Sequence, residues 1–482
     1  MKRKFIWNLV LVIILNLLIK PFYILGIDAE VINRVGANVY GNYFALINFS
    51  FLLNIILDLG ITNFNVKNIA QHHQLLDKHF SGIITLRFLL VFLYLCATFL
   101  IALGIGYDTM QFKILLILAL NQSLVAFILY IRSNLAGLHL FLQDSIVSVL
   151  DRLLLIVICS TLLWGEISHR PFQIEWFVYA QTASYFITLL ICFLLVFRQT
   201  NTFKFQWNKI FAMVILKQSL PYALLILLMT IYYRIDSIML ERMIDDNAMQ
   251  AGIYAQAYRF FEASNMLAYL FAALLLPIFS RMLKFKESIY EIVDFSFKTL
   301  MAFALVLSIF CCFFSYEIMA FRYDLYVTES AQIFLVLMIC FICVSSTYIY
   351  GTLLTANGNL FYLNIVAGLG VILNIILNII LISKYNAFGS AVASLITQFL
   401  TGVAQICLCV YIFKLNLLKT FLKLFLFFVG LVFFTYCLKT LEIALYYKFI
   451  VYLVFSLIWI FSMQLVKISD LTMLIQNRFK IK

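Results

Sequence analysis

Apolar stretches long enough to cross a lipid bilayer follow one another almost without interruption from residue 6 to residue 466. A helix needs about 20 mostly apolar residues to span the hydrocarbon layer. Fourteen segments qualify: 6–27, 40–60, 81–102, 113–134, 145–163, 176–197, 219–240, 251–280, 294–316, 331–354, 362–382, 388–413, 418–438 and 445–466. They are continuous runs rather than short alternations. Lipid offers no partner to an open backbone, so helices are expected and barrel strands are not. With 65% hydrophobic and only 12% charged residues, a water-soluble globule is excluded, since such proteins carry roughly a quarter charged residues. The expected class is all-α, a polytopic membrane protein whose loops are too short for a separate soluble domain.

The chain opens on Met1-Lys2-Arg3-Lys4 and an apolar run too long for a signal peptide, with no small-residue cleavage site after it. It reads as an uncleaved first span. The net charge of +12 would suggest nucleic acid in a soluble protein. Here the basic residues sort by side instead. With the N-terminus inside, cytoplasmic regions hold Lys2, Arg3, Lys4, Lys67, Lys78, Arg198, Lys204, Lys209, Lys217, Arg281, Lys284, Lys286, Lys414, Lys419, Lys423, Lys467, Arg478, Lys480 and Lys482. Outer loops hold fewer: Arg34, Lys113, Arg170, Arg242, Arg322, Lys384, Lys439 and Lys448. This bias puts both termini in the cytoplasm and removes the reason to expect a nucleic-acid partner.

Two halves are suggested by the basic connection at 198–218, by proline in the first span of each half (Pro21 and Pro221), and by an echo. Tyr40-Gly41-Asn42-Tyr43 opens span 2 and Ala251-Gly252-Ile253-Tyr254 opens span 8; the two spans end on Lys67 and Arg281. Internal repeats are common in transporters, with substrate handled where the repeats meet. The expected division is an N-terminal lobe of spans 1–6 (1–200), a C-terminal lobe of spans 7–12 (201–415), and spans 13 and 14 with a cytoplasmic tail (416–482).

A charge at the bilayer centre costs about 2.5–3.5 kcal/mol on insertion scales, so charges deep in a span need a partner or a polar lining. Lys20 in span 1, Arg234 and Asp236 in span 7, and Arg259 and Glu262 in span 8 qualify. Tyr43, Asn48 and Asn54 in span 2 would add polar groups. Arg259 and Glu262, three apart, share a helix face and can neutralise each other. Arg234 and Asp236, two apart, point different ways, so Asp236 should seek a partner on another span, with Lys20 or Arg259 as candidates. An interhelical ion pair would make these residues structural; a cationic lining would make them attract an anionic head group. Lys20-Pro21 adds a kink site, because proline removes a helix hydrogen bond. Asp58, Arg87, Arg132, Asp151 and Arg152 lie nearer span ends and read as interface anchors or local pairs.

Other chemistry is missing. There is no phosphate-cradling GxxxxGK[ST] loop, no HExxH and no GxSxG. The ten cysteines sit in apolar runs, and Cys340-Phe-Ile-Cys343 reads as small packing residues rather than a metal site. No cofactor and no metal are expected, and no enzyme activity. Asp28-Ala-Glu30, in the first outer loop, is the nearest thing to a catalytic acid pair.

Several segments resemble the Wzx-type polysaccharide flippases, which carry O-antigen and other lipid-linked oligosaccharides and share a superfamily with multidrug exporters and the lipid II flippase. They are Tyr40-Gly-Asn-Tyr43 through Leu57-Asp-Leu-Gly60 to Val66-Lys67-Asn-Ile-Ala70; Leu220-Pro221-Tyr222 leading to Arg234-Ile-Asp236-Ser-Ile-Met-Leu240; Ala251-Gly-Ile-Tyr254-Ala-Gln-Ala-Tyr-Arg259-Phe-Phe-Glu262 to Leu276-Pro277-Ile-Phe-Ser-Arg281; and Phe388-Gly389-Ser-Ala-Val-Ala393. The resemblance implies fourteen helices in two six-helix lobes plus two C-terminal helices, a cavity lined by spans 1, 2, 7 and 8, and alternating access. It implies an undecaprenyl-diphosphate-linked oligosaccharide as substrate in a bacterial cytoplasmic membrane, with membrane lipids and polysaccharide assembly proteins as further partners. Two other readings remain open: an ion-coupled exporter of the same fold, and a membrane glycosyltransferase or polymerase.

Overall fold

A computed structural model describes residues 15–465, apart from residue 17, 63–64, 66–68, 70–74, 139, 166–169, 199–208 and 246–247. Twelve helical runs are long and apolar enough to cross a membrane: α1 (Leu18–Asp58), α2 (Phe80–Ile105), α3 (Thr109–Gly137), α4 (Leu142–Trp164), α5 (Ile174–Phe197), α6 (Ala223–Met243), α7 (Met249–Lys284), α8 (Tyr290–Phe313), α9 (Val327–Ala356), α10 (Leu360–Phe413), α11 (Leu418–Lys439) and α12 (Leu445–Ser462). No strand occurs among the described residues. The fourteen apolar segments appear as twelve runs because segments 1 and 2 join in α1 and segments 11 and 12 join in α10.

Neither of those two runs is straight. In α1 the Tyr40 hydroxyl donates to Asp28 Oδ1 at 2.7 Å. Twelve residues of straight helix would hold the two about 18 Å apart. The chain therefore folds back between them, and Gly36 takes the left-handed backbone (φ 81°, ψ 160°) that the reversal needs. In α10, Asn386 (φ 51°, ψ −135°) interrupts the helix. A carbon placed on Gly389 would lie 2.2 Å from the Leu381 carbonyl oxygen, eight residues earlier, so this run also turns back on itself. Both breaks fall at a glycine or an asparagine, the residue types that tolerate positive φ.

The chain forms two compact units, Met1–Ala255 and Gln256–Lys482. In the first, α1 packs on α3, α5 and α6, and α3 packs on α5. Asp108 caps α3, accepting from the Gln111 amide while the Gln111 side chain accepts from the Asp108 amide. The second arm of α1 meets the start of α7 with no room for side chains. A carbon on Gly41 would lie 2.0 Å from Ala248 O, and one on Gly252 would lie 1.8 Å from Ala37 O. The two echoed segments thus touch each other, glycine against glycine.

In the second unit α9 is the central helix, packed on α8, α10 and the short helix Ser315–Arg322. The last two helices dock on α8. Asp294 on α8 pairs with Lys298 on its own helix and accepts from the Thr420 hydroxyl of α11. Tyr452 of α12 donates to Val306 O at 2.8 Å. Large apolar side chains such as Phe92, Leu100, Phe433 and Leu457 are exposed along the helices, the surface a bilayer requires.

Candidate functional site

The first arm of α1 carries Lys20 and Pro21, followed by a π-helical turn over Tyr23–Asp28. Proline removes one N–H from the ladder, and widened turns of this kind recur at functional positions. Lys20 is half-buried and makes no hydrogen bond or ion pair with any described residue. Arg152, Asp151 and Arg132 act on its charge.

Asn48 and Arg234 come together across α1 and α6. Arg234 donates from Nη1 to Asn48 Oδ1 at 2.9 Å, and its guanidinium lies 4.7 Å from the Phe51 ring centre. Asn48 also donates to Phe44 O at 2.8 Å, so its amide is fixed before Arg234 arrives. Asp236, buried, accepts from the Tyr254 hydroxyl at 3.0 Å. The sequence named Lys20 and Arg259 as candidate partners for Asp236; the Tyr254 hydroxyl is one partner that Asp236 has. Arg259 pairs with Glu262 at 2.6 Å, three residues along the same helix, as their spacing requires. That pair belongs to the second unit.

Tyr43 is packed in the interior, accepting from Gln181 Nε2 of α5 at 2.7 Å and lying edge-on to Phe177. Asn54 is half-buried at the turn that interrupts α1 after Leu52, where its backbone N–H donates to Phe51 O. Lys67 and the side chain of Pro221 lie outside the described residues.

Two clusters involve charges that the sequence reads as interface anchors or local pairs, with further partners that it did not name. Arg152 sits in the middle of α4 rather than near its end, because the helix begins at residue 142 and not 145. Its guanidinium lies 4.8 Å from the Tyr23 ring and 5.7 Å from the Tyr185 ring, and Nη1 donates to the Tyr185 hydroxyl at 3.0 Å. The second is Arg87, 1% exposed. It pairs with Asp58 at 2.5 Å, donates to Leu57 O, Ala126 O and Thr62 Oγ1, and stacks on Tyr130. It clamps the end of α1, where Leu59 and Gly60 both turn left-handed. An arginine inside an apolar run was the available signal for both; the identity of the partners was not encoded nearby.

Residues 3–283 match a family described as polysaccharide biosynthesis protein. The chain belongs to that family. Among solved structures it resembles a lipid II flippase MurJ in an inward closed conformation, with TM-score 0.75, 17% identity, and 96% of this chain and 100% of that chain covered. It also resembles an inward-facing multidrug resistance transporter of the MATE family and MOP superfamily, with TM-score 0.66, 13% identity, and 80% and 93% covered. A MOP superfamily transporter from Pyrococcus furiosus matches with TM-score 0.55, 14% identity, and 83% and 92% covered. At these identities the likeness establishes a shared fold. No curated protein matches the sequence. The family member is a multi-pass, all-helical membrane protein built on the fold of these transporters.

Proposed function

We propose that this protein is a flippase that moves an undecaprenyl-diphosphate-linked oligosaccharide across a bacterial cytoplasmic membrane by alternating access. The observation that carries the reading is the presence of Lys20 and Arg234 inside helices long and apolar enough to cross a membrane, with Lys20 making no ion pair to a described carboxylate. Basic groups so placed lower the barrier for a diphosphate that hydrocarbon would reject. Arg234, Asp236, Arg259, Glu262, Tyr43, Asn48 and Asn54 complete the proposed substrate route, and Pro21 and Pro221 its hinges. Lobes at 1–200 and 201–415, with 416–482 appended, and two cytoplasmic termini belong to the same proposal, as do membrane lipids and polysaccharide assembly proteins as partners. Membership of the polysaccharide biosynthesis family supports a sugar-bearing cargo.

The test replaces Lys20, Arg234 and Arg259 singly with Ala and assays surface glycan together with accumulation of the lipid-linked precursor. Loss of glycan with precursor build-up is expected for Lys20 and Arg234 at least. Normal glycan in all three variants overturns the reading. Ion-coupled export is the second reading, favoured by the buried carboxylate of Asp236; it predicts that Asp236→Asn abolishes ion-driven drug efflux and leaves glycan intact.

A further inference from the structure

We propose that Lys20 and Arg152 together hold the diphosphate of the lipid-linked substrate, and that Asp151 partly neutralises them when no substrate is bound. The inference rests on the flippase reading and adds the residues that grip the charge.

Arg152 lies ten residues beyond the start of α4, about 15 Å along it, which is half of a hydrocarbon layer about 30 Å thick. A guanidinium has five N–H donors. Among the described residues, Arg152 uses one of them, on the Tyr185 hydroxyl at 3.0 Å. The Tyr23 and Tyr185 rings, 4.8 and 5.7 Å from its carbon, fix the plane of the fork. Planar, pre-oriented arginine suits bidentate recognition of phosphate.

Lys20 precedes Tyr23 by three residues in the same helical arm, so the two share a face, and the Tyr23 ring carries the Arg152 guanidinium at 4.8 Å; two cations brought to one ring repel in a medium of low dielectric. The neighbouring carboxylates do not resolve it by contact. Asp144 is taken by Arg132 at 2.8 Å. Asp28 accepts from Tyr40. Asp151 stands 3.7 Å from Arg152 Nε, beyond hydrogen-bond length, because adjacent residues on a helix do not face each other. Three cations and three carboxylates balance in sum, yet Lys20 and Arg152 both retain open donors among the described residues. A diphosphate, which only accepts, satisfies a fork and an ammonium at once.

The experiment uses the full-length protein in phosphatidylcholine nanodiscs, titrated with undecaprenyl diphosphate. Arg152→Gln and Lys20→Gln should each weaken binding about tenfold or more, the cost of one lost charge-assisted contact. Asp151→Asn should tighten it. If both Gln variants bind as the wild type while Arg234→Ala binds weakly, the inference fails and the flippase reading stands. If the wild type has no affinity for the probe, both fail. Equal affinity for phosphatidylglycerol overturns the substrate assignment in favour of a lipid head-group site. Should the Gln variants not fold, Asp151→Asn decides alone, and unchanged affinity overturns the proposal.

Discussion

Charged side chains buried in this protein are held in different ways, and the difference predicts what their removal does. Asp236 accepts from a tyrosine hydroxyl and Arg234 donates to an asparagine oxygen, each a hydrogen bond to a neutral side chain. Hydrogen bonds between membrane helices average about 0.6 kcal/mol, with about 1.7 as an upper value. Tyr254→Phe should therefore lower stability by no more than that, a small drop in melting temperature in detergent. Arg87 is the opposite case. It is buried, ion-paired and bound to two carbonyl oxygens. Removing one member of a buried pair costs about 3–5 kcal/mol because the other charge is stranded. Arg87→Ala should fail to accumulate as folded protein, whereas the double variant Arg87→Met with Asp58→Leu should recover part of the yield. Equal melting temperatures for Arg87→Ala and Tyr254→Phe would contradict this ranking.

At the scale of helices, hydropathy alone predicted most of the runs, because the bilayer fixes their length and forbids open backbone. It did not show that α1 and α10 double back tightly, since Gly36 and Asn386 look like ordinary loop residues until the arms are seen in contact. Helix rotation was equally hidden. Lys20, Arg234 and Arg259 stood out as charges in apolar runs, but Asn48, Tyr254 and Tyr185 became partners only through packing. Arg152 reads from the sequence as an interface anchor or a local pair, and it does form an ion pair with Asp151 at 3.7 Å; its place against Tyr23 and Tyr185 had no signal nearby in the chain. The echo at Gly41 and Gly252 had a physical cause of its own: the two segments touch there. Gly252→Ala would drive a carbon into the Ala37 carbonyl, so it should sharply reduce folded yield by size-exclusion profile. Gly104→Ala, with nothing within 4 Å of the added carbon, should be neutral or gain about 0.5–1 kcal/mol from a helical glycine replaced. Similar losses in both variants would mean that the Gly41–Gly252 contact is not what holds α1 to α7.

For the whole molecule the decisive property is sidedness, because the proposed flipping of a lipid-linked sugar has a direction. The connection from α7 to α8 exposes Arg281, Lys284 and Lys286, and the connection from α10 to α11 is followed by Lys419 and Lys423. Basic residues are retained on the cytoplasmic side. Because α10 turns back at Asn386, its two ends lie on one side, the same side as the α7–α8 connection if α8 and α9 each cross once. In the proposed topology two more crossings by α11 and α12 return the C-terminus to the cytoplasm. An alkaline phosphatase fused after Glu442, between α11 and α12, should be active, and a green fluorescent protein fused at the C-terminus should be bright. The reverse pattern would invert the chain.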